Sequence, residues 1–298
     1  MRNDNSIVLG VNHMFLYPDS IVQADVHTRT LGLLAQTDRV DALDCWVWAD
    51  HAKEEIEILR NSGKYINYNI GDRFGETPVF PATTDPRERQ YALDMLRRES
   101  DFAVACGAKK IIFGSGKDVP ECREDALKRF VDFIAEWKTY IPDDICLALE
   151  PTDRDVDKHF LLGSLEDTCW TVQALRDGGI ADVGILLDMG HIPLMHETLA
   201  SAAEKTKGYL RHIHMGNCIV KDPTNPMYGD KHPCWGAPGG EYDETDGAEY
   251  LRQLKKFGYF DTDGDKTLSF EMRTLTGMDE EQTLNHLTNW FHRTLAEM

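Results

Sequence analysis

The chain has 298 residues, 42% of them hydrophobic and 28% charged, which gives material for a sizeable core and excludes a disordered or low-complexity polymer. Its 51 Asp plus Glu against 32 Lys plus Arg leave a formal net charge of −19. A nucleic-acid partner is therefore not expected, because the densest basic stretches, 87–98 and Lys109-Lys110, are short or interleaved with acids and make no cationic face.

From the N-terminus, a short apolar strand begins almost at once, with no cleavable leader pattern. No later window approaches the roughly 18 uninterrupted apolar residues of a membrane span. We therefore expect a cytoplasmic protein without a membrane partner. Short apolar runs then alternate with helical patterns along the chain: 7–15, 43–48, 65–70, 110–114, 146–150, 183–188, 210–214 and 267–271. Between them, apolar residues recur at helical spacing, as in Ala126, Phe130, Phe133 and Trp137, and in Leu284, Leu287, Phe291 and Leu295. Ser164 and Asp167 open one helix in the manner of a capping box, and Gly63 and Gly178-Gly179 fall where helices should end.

Strand and helix alternating eight times predict an α/β protein, a single (β/α)8 TIM barrel over residues 1–298. No Pro/Gly/Ser-rich linker divides it. The longest irregular stretch, 217–246, follows the seventh strand and is expected to act as a lid or interface. The seven cysteines are odd in number and lack any C-x-x-C pair, so neither a disulfide framework nor a thiolate zinc site is expected.

Barrel enzymes carry their reacting groups at the C-terminal ends of strands. Runs five to eight end in Glu150, Asp188, His214 and Glu271. Any one of these is unremarkable, but four potential ligands on four consecutive strands would converge on one side of the mouth. Three carboxylates and one imidazole without thiolate suit Mn²⁺, Mg²⁺ or Co²⁺ ahead of Zn²⁺, with Mn²⁺ favoured. His191, three residues after Asp188, and His232, in the long stretch, are further candidates for contact with substrate. Arg273 shares a strand side with Glu271, as Trp48 does with Trp46, so both are candidate substrate contacts; the alternatives are a salt bridge for Arg273 and helix–sheet packing for the tryptophans.

The segments Leu149-Glu150-Pro151-Thr152-Asp153-Arg154, Leu187-Asp188-Met189-Gly190-His191, His212-Ile213-His214 and Ser269-Phe270-Glu271, with Pro238-Gly239-Gly240 behind them, resemble the xylose-isomerase-like TIM barrels of sugar isomerases and epimerases. The resemblance spans the chain. It implies that Glu150, Asp188, His214 and Glu271 bind one divalent metal, that Glu150 and Glu271 serve as acid and base, and that His191 touches substrate or a further metal. It implies an isomerase or epimerase acting on a small-molecule sugar or keto-sugar through an enediolate, and commonly a homo-oligomer. The ketose epimerases carry an acid and an arginine where this chain has Val156 and Val220, with Asp155, Asp157 and Lys221 next door. The segments 153–158 and 228–233 also resemble the catalytic subunits of C-glycoside deglycosidases, lyases that act on 3-oxo-glycosides and pair with a small second subunit. An apurinic endonuclease is the remaining alternative, since Asp188-x-x-His191 and Asp230-x-His232 echo its zinc ligands, although the second and third runs lack its histidines.

Overall fold

The structure is a computed structural model and describes residues 7–71, 79–261 and 266–298. Eight parallel strands close into a barrel in chain order, β1 (Val8–Asn12), β2 (Ala42–Cys45), β3 (Tyr65–Asn69), β4 (Lys110–Phe113), β5 (Cys146–Leu149), β6 (Val183–Asp188), β7 (Leu210–Met215) and β8 (Thr267–Phe270), with β8 pairing back onto β1. This is the (β/α)8 TIM barrel that the alternating pattern predicts. The intervening helices are α1 (His13–Leu16), α2 (Ala24–Gln36), α3 (Ala52–Asn61), α4 (Pro86–Cys106), α5 (Arg123–Lys138), α6 (Leu165–Asp177), α7 (His191–Leu194), α8 (Leu199–Thr206), α9 (Glu244–Lys256) and α10 (Glu280–Glu297).

Sequence chemistry accounts for the element ends. Asp85 caps α4 by accepting from the Arg87 amide, Pro86 opens it, and Gly107 closes it in a left-handed conformation at φ 76°. Ser164 caps α6 through the Asp167 amide. Asp243 and Asp246 form a reciprocal capping box, so α9 starts at Glu244 and the tail of the 217–246 stretch is helical. The expected stripe on α5 is buried, and Phe113 of β4 meets Phe130 and Trp137 at centroid distances of 6.3 and 4.7 Å. The first run is shorter than expected: Asn12 Oδ1 takes the Met14 amide at 3.1 Å, which ends β1 and turns residues 13–16 into α1.

The barrel interior is unusually polar on one side. Ile112, Ala148 and Leu186 form a small apolar cluster of their own, while Asp44, Asn67, Lys110, His212 and Thr267 are all fully buried. Asp44 on β2 reaches His212 on β7 at 2.7 Å. Those strands are not neighbours in the sheet, so the bond must cross the lumen. Among the described residues no helix is long and apolar enough to cross a membrane, and all seven cysteines are free.

Candidate metal centre and active site

Each expected strand-end residue sits at the C-terminal rim. Glu150 and Glu271 directly follow β5 and β8, Asp188 ends β6, and His214 lies next to the last residue of β7. The four offer ligand atoms that lie within 4.8 Å of one another. His214 Nδ1 stands 2.6 Å from Glu271 Oε2, 3.6 Å from Asp188 Oδ2 and 3.8 Å from Glu150 Oε1. Asp188 Oδ2, His214 Nδ1 and Glu271 Oε2 are buried and, among the described residues, make no hydrogen bond of good geometry. Buried polar atoms left without donors or acceptors carry a penalty of about 1–3 kcal/mol each. A common centre that leaves three of them facing one another is the arrangement a divalent cation satisfies.

The other atoms of these residues are held from outside. Asn12 donates to Glu271 Oε1 at 2.6 Å, the Gly190 amide donates to Asp188 Oδ1, and His214 Nε2 meets Asp44 Oδ2 at 2.8 Å. One atom of each residue is thus fixed, and the other is aimed inward. Neither Asn12 nor Asp44 stands out in sequence, and the only signal was a polar side chain inside an otherwise apolar run at a lumen-facing position.

Charge crowding sets the protonation of the metal-free centre. Burial pushes the Glu271 carboxyl well above the ordinary range, and neighbouring Asp188 adds to this against the opposing His214 charge. Burial likewise raises Glu150, with His191 and His214 opposing it. Burial would also raise Asp188, but the charge of His191 and the closeness of Glu271 and His214 more than offset it and hold the carboxyl low. His214 is disfavoured as a cation by burial, yet Glu271, Asp188 and Asp44 together raise it well above 6.5.

A second group adjoins the first. His191, His232 and Asp188 offer ligand atoms within 4.8 Å of one another. Asp230 Oδ1 joins the two rings, 3.0 Å from His191 Nε2 and 2.7 Å from His232 Nε2, and Lys158 Nζ lies 3.3 Å from its other oxygen. His191 Nδ1 faces the Pro151 carbonyl at 3.0 Å. Both histidines are buried and line the cavity above Glu150 and Glu271, whose walls include Phe15, Phe160 and Lys158.

Two loops build that wall. Buried Asp153 accepts the backbone amides of Val156, Asp157 and Lys158, each at 2.8 Å, and so winds the turn that presents Lys158 to the cavity. Asp157 then takes the Asp230 amide at 3.0 Å and Lys231 Nζ at 2.9 Å. The loop after β7 hangs on Asn217, whose amide donates to the Cys234 and Tyr242 carbonyls while its oxygen accepts from the Cys218 and Tyr242 amides.

Two sequence candidates lie elsewhere. Trp48 does not line the cavity: it packs on Trp46 at 5.2 Å, Trp46 packs on His27 of α2 at 4.7 Å, and the Trp48 indole donates to the Ser20 carbonyl. Helix packing claims that strand face. Arg273 turns its guanidinium to the Lys231 carbonyl and makes no ion pair with Glu271 among the described residues. The residues beside Val156 and Val220 are also engaged elsewhere, Asp155 with His196 and Lys221 with Glu241. Among the described residues, Lys158 is the Lys or Arg that lines the cavity.

Gly216 fixes how closely β7 can approach Asp188. A Cβ there would lie 2.5 Å from Asp188 Oδ1. Gly216→Ala is therefore expected to displace that carboxylate and weaken Mn²⁺ binding about tenfold or more, as read by titration. Unchanged affinity in a folded variant would show that Asp188 has slack.

Residues 48–293 match a family model described as the xylose isomerase-like TIM barrel. No curated protein matches by sequence. Among solved structures, the chain is similar to 3-keto-D-glucoside 4-epimerase, YcjR, from E. coli, at 14% identity, covering 96% of this chain and 100% of that one with a TM-score of 0.67. It is similar to D-psicose 3-epimerase from Clostridium cellulolyticum H10, at 14% identity over 97% of each chain with a TM-score of 0.64. It is also similar to the IOLI protein with a binding zinc atom, at 14% identity over 98% of this chain and 97% of that one with a TM-score of 0.66. At these identities the likeness is one of fold.

Proposed function

The chain belongs to the xylose isomerase-like TIM barrel family, and on that premise we propose that it is a divalent-metal-dependent enzyme that removes a proton from a sugar carbon beside a carbonyl. The carrying observation is the convergence of Glu150, Asp188, His214 and Glu271 beneath a cavity that Glu150 and Glu271 line, with three of their buried atoms unpartnered among the described residues. An ion held by these residues supplies Lewis acidity, lowering the cost of negative charge on the substrate oxygen.

The chain's own groups do the rest. Glu271, with one oxygen tied to Asn12, presents the other as a base for the C–H, and Glu150, three strands away with β6 and β7 between, returns a proton from a different direction. The substrate passes through an enediolate between the two transfers. Lys158 and Asp230 are placed to hydrogen-bond hydroxyls, His191 and His232, whose ring nitrogens are engaged, to meet the substrate as cavity wall, and Phe15 and Phe160 to cover the apolar face of a sugar ring. The oxygen-rich donor set favours Mn²⁺. Zinc, present in the similar IOLI protein, is the ion to compare it with.

Epimerases named among the similar structures favour a keto-sugar or 3-keto-glucoside as substrate class. Incubating the Mn²⁺-loaded protein with D-psicose, D-tagatose and 3-keto-glucosides in D₂O is expected to place solvent deuterium on the carbon next to the carbonyl. Release of an aglycone would select the lyase outcome within the same chemistry. No exchange and no product across the panel would overturn the proposal.

A further inference from the structure

We infer that Asp44, on the opposite side of the lumen from β7, is a positioning residue that decides which nitrogen of His214 faces the metal. The inference rests on the metal-centre reading above and concerns a residue outside the four ligands. Asp44 Oδ2 lies 2.8 Å from His214 Nε2 and 2.7 Å from His212 Nε2, and Oδ1 accepts from Asn67 Nδ2 at 2.5 Å. The carboxylate is fully buried and meets a hydrogen-bonding nitrogen at each of these three contacts. An ionised carboxylate has no hydrogen to give, so each facing nitrogen must carry one.

His212 presents Nε2 to Asp44 Oδ2, while its Nδ1 faces the Thr267 hydroxyl at 2.5 Å and the Thr267 carbonyl at 3.0 Å. The carboxylate therefore draws a hydrogen from His212 Nε2 whichever Thr267 oxygen Nδ1 meets. His214 is bound to the same Asp44 oxygen through Nε2, so its Nε2 also carries a hydrogen. Its Nδ1, the atom facing Glu271, Asp188 and Glu150, is then the nitrogen that gives up its proton to an incoming ion and offers the lone pair. Without Asp44, nothing on that side of the ring prefers this tautomer, and the carboxylate also makes the imidazole a stronger donor to an ion.

Asp44→Asn keeps the shape of the side chain but can turn an amide N–H toward Nε2, which favours the tautomer with Nδ1–H. Mn²⁺ titration of the whole protein is expected to show a dissociation constant raised about 10–100-fold in Asp44→Asn. His212→Phe, which removes the other ring but leaves Asp44 against His214, is expected to stay within a few-fold of wild type. A role in barrel packing alone would move both variants together. Histidine ¹⁵N spectra of the wild type supply a readout that does not depend on an Asp44 variant folding. In the metal-free and the Zn²⁺-loaded protein alike, the His214 signal, assigned by its loss in His214→Gln, is expected to show a protonated, pyrrole-type Nε2. A pyridine-type Nε2, or Mn²⁺ affinity equal to wild type in folded Asp44→Asn, overturns this inference alone. A wild-type protein that takes up neither ion overturns the metal reading and this inference with it.

Discussion

Replacing Glu271 by Gln is expected to slow deuterium incorporation by about 10³-fold, within the range that loss of one positioned acid–base group produces. The substitution is nearly isosteric. Its carbonyl can still accept from Asn12, so the cost falls on the other oxygen, the unpartnered Oε2 that points into the centre. That oxygen has two assigned roles, metal ligand and base, and saturation separates them. If the deficit persists when Mn²⁺ saturates the variant, the lost function is proton abstraction. A rate that returns to the wild-type value at high Mn²⁺ would reduce Glu271 to a ligand and move the base elsewhere.

Chelating the ion from the purified protein is expected to lower its thermal midpoint by about 4 °C, with recovery on adding Mn²⁺. A ligand present at a hundredfold excess over its dissociation constant stabilises the folded state by about 2.7 kcal/mol, and a chain of this size shifts by roughly 1.6 °C for each kcal/mol. The effect has a pH sign. In the metal-free centre, burial holds Glu271 and Glu150 in their protonated range to higher pH than usual, and the surrounding carboxylates do the same for His214. An incoming cation must displace those protons, so the metal-bound form carries fewer of them. Apparent affinity should therefore rise with pH and fall as the solution is acidified. Superimposable melting curves at pH 8 with and without Mn²⁺ would contradict the metal reading.

Much of the frame is legible before any coordinates. Glu150, Asp188, His214 and Glu271 share a position at strand ends, and strand ends are where a barrel gathers its side chains, so periodicity alone brings them together. Trp48 shows where that logic stops. Its strand run could be read, but which side of the run faces α2 depends on His27 and Trp46, residues whose packing no local pattern encodes. Asn12 and Asp44 were hidden for a related reason. A polar side chain in an apolar run is usually a surface residue, and here the distinguishing fact is a partner across the lumen, 259 positions away for Asn12 and 170 for Asp44. Lys158 owes its place to Asp153, whose carboxylate gathers three successive amides, a tertiary detail that composition cannot carry.

Asn217 pins the loop after β7 with four hydrogen bonds from one side chain. What lies beyond that peg supplies Asp230 and His232 to the rim, whereas the acids that would seat the ion belong to the barrel beneath. On the proposed reading, part of the selectivity would be written on the pegged excursion and the reactivity on the barrel beneath it. Descendants of such a chain could then trade one sugar for another by rewriting that excursion, and keep intact the foundation on which the proton transfer would rest.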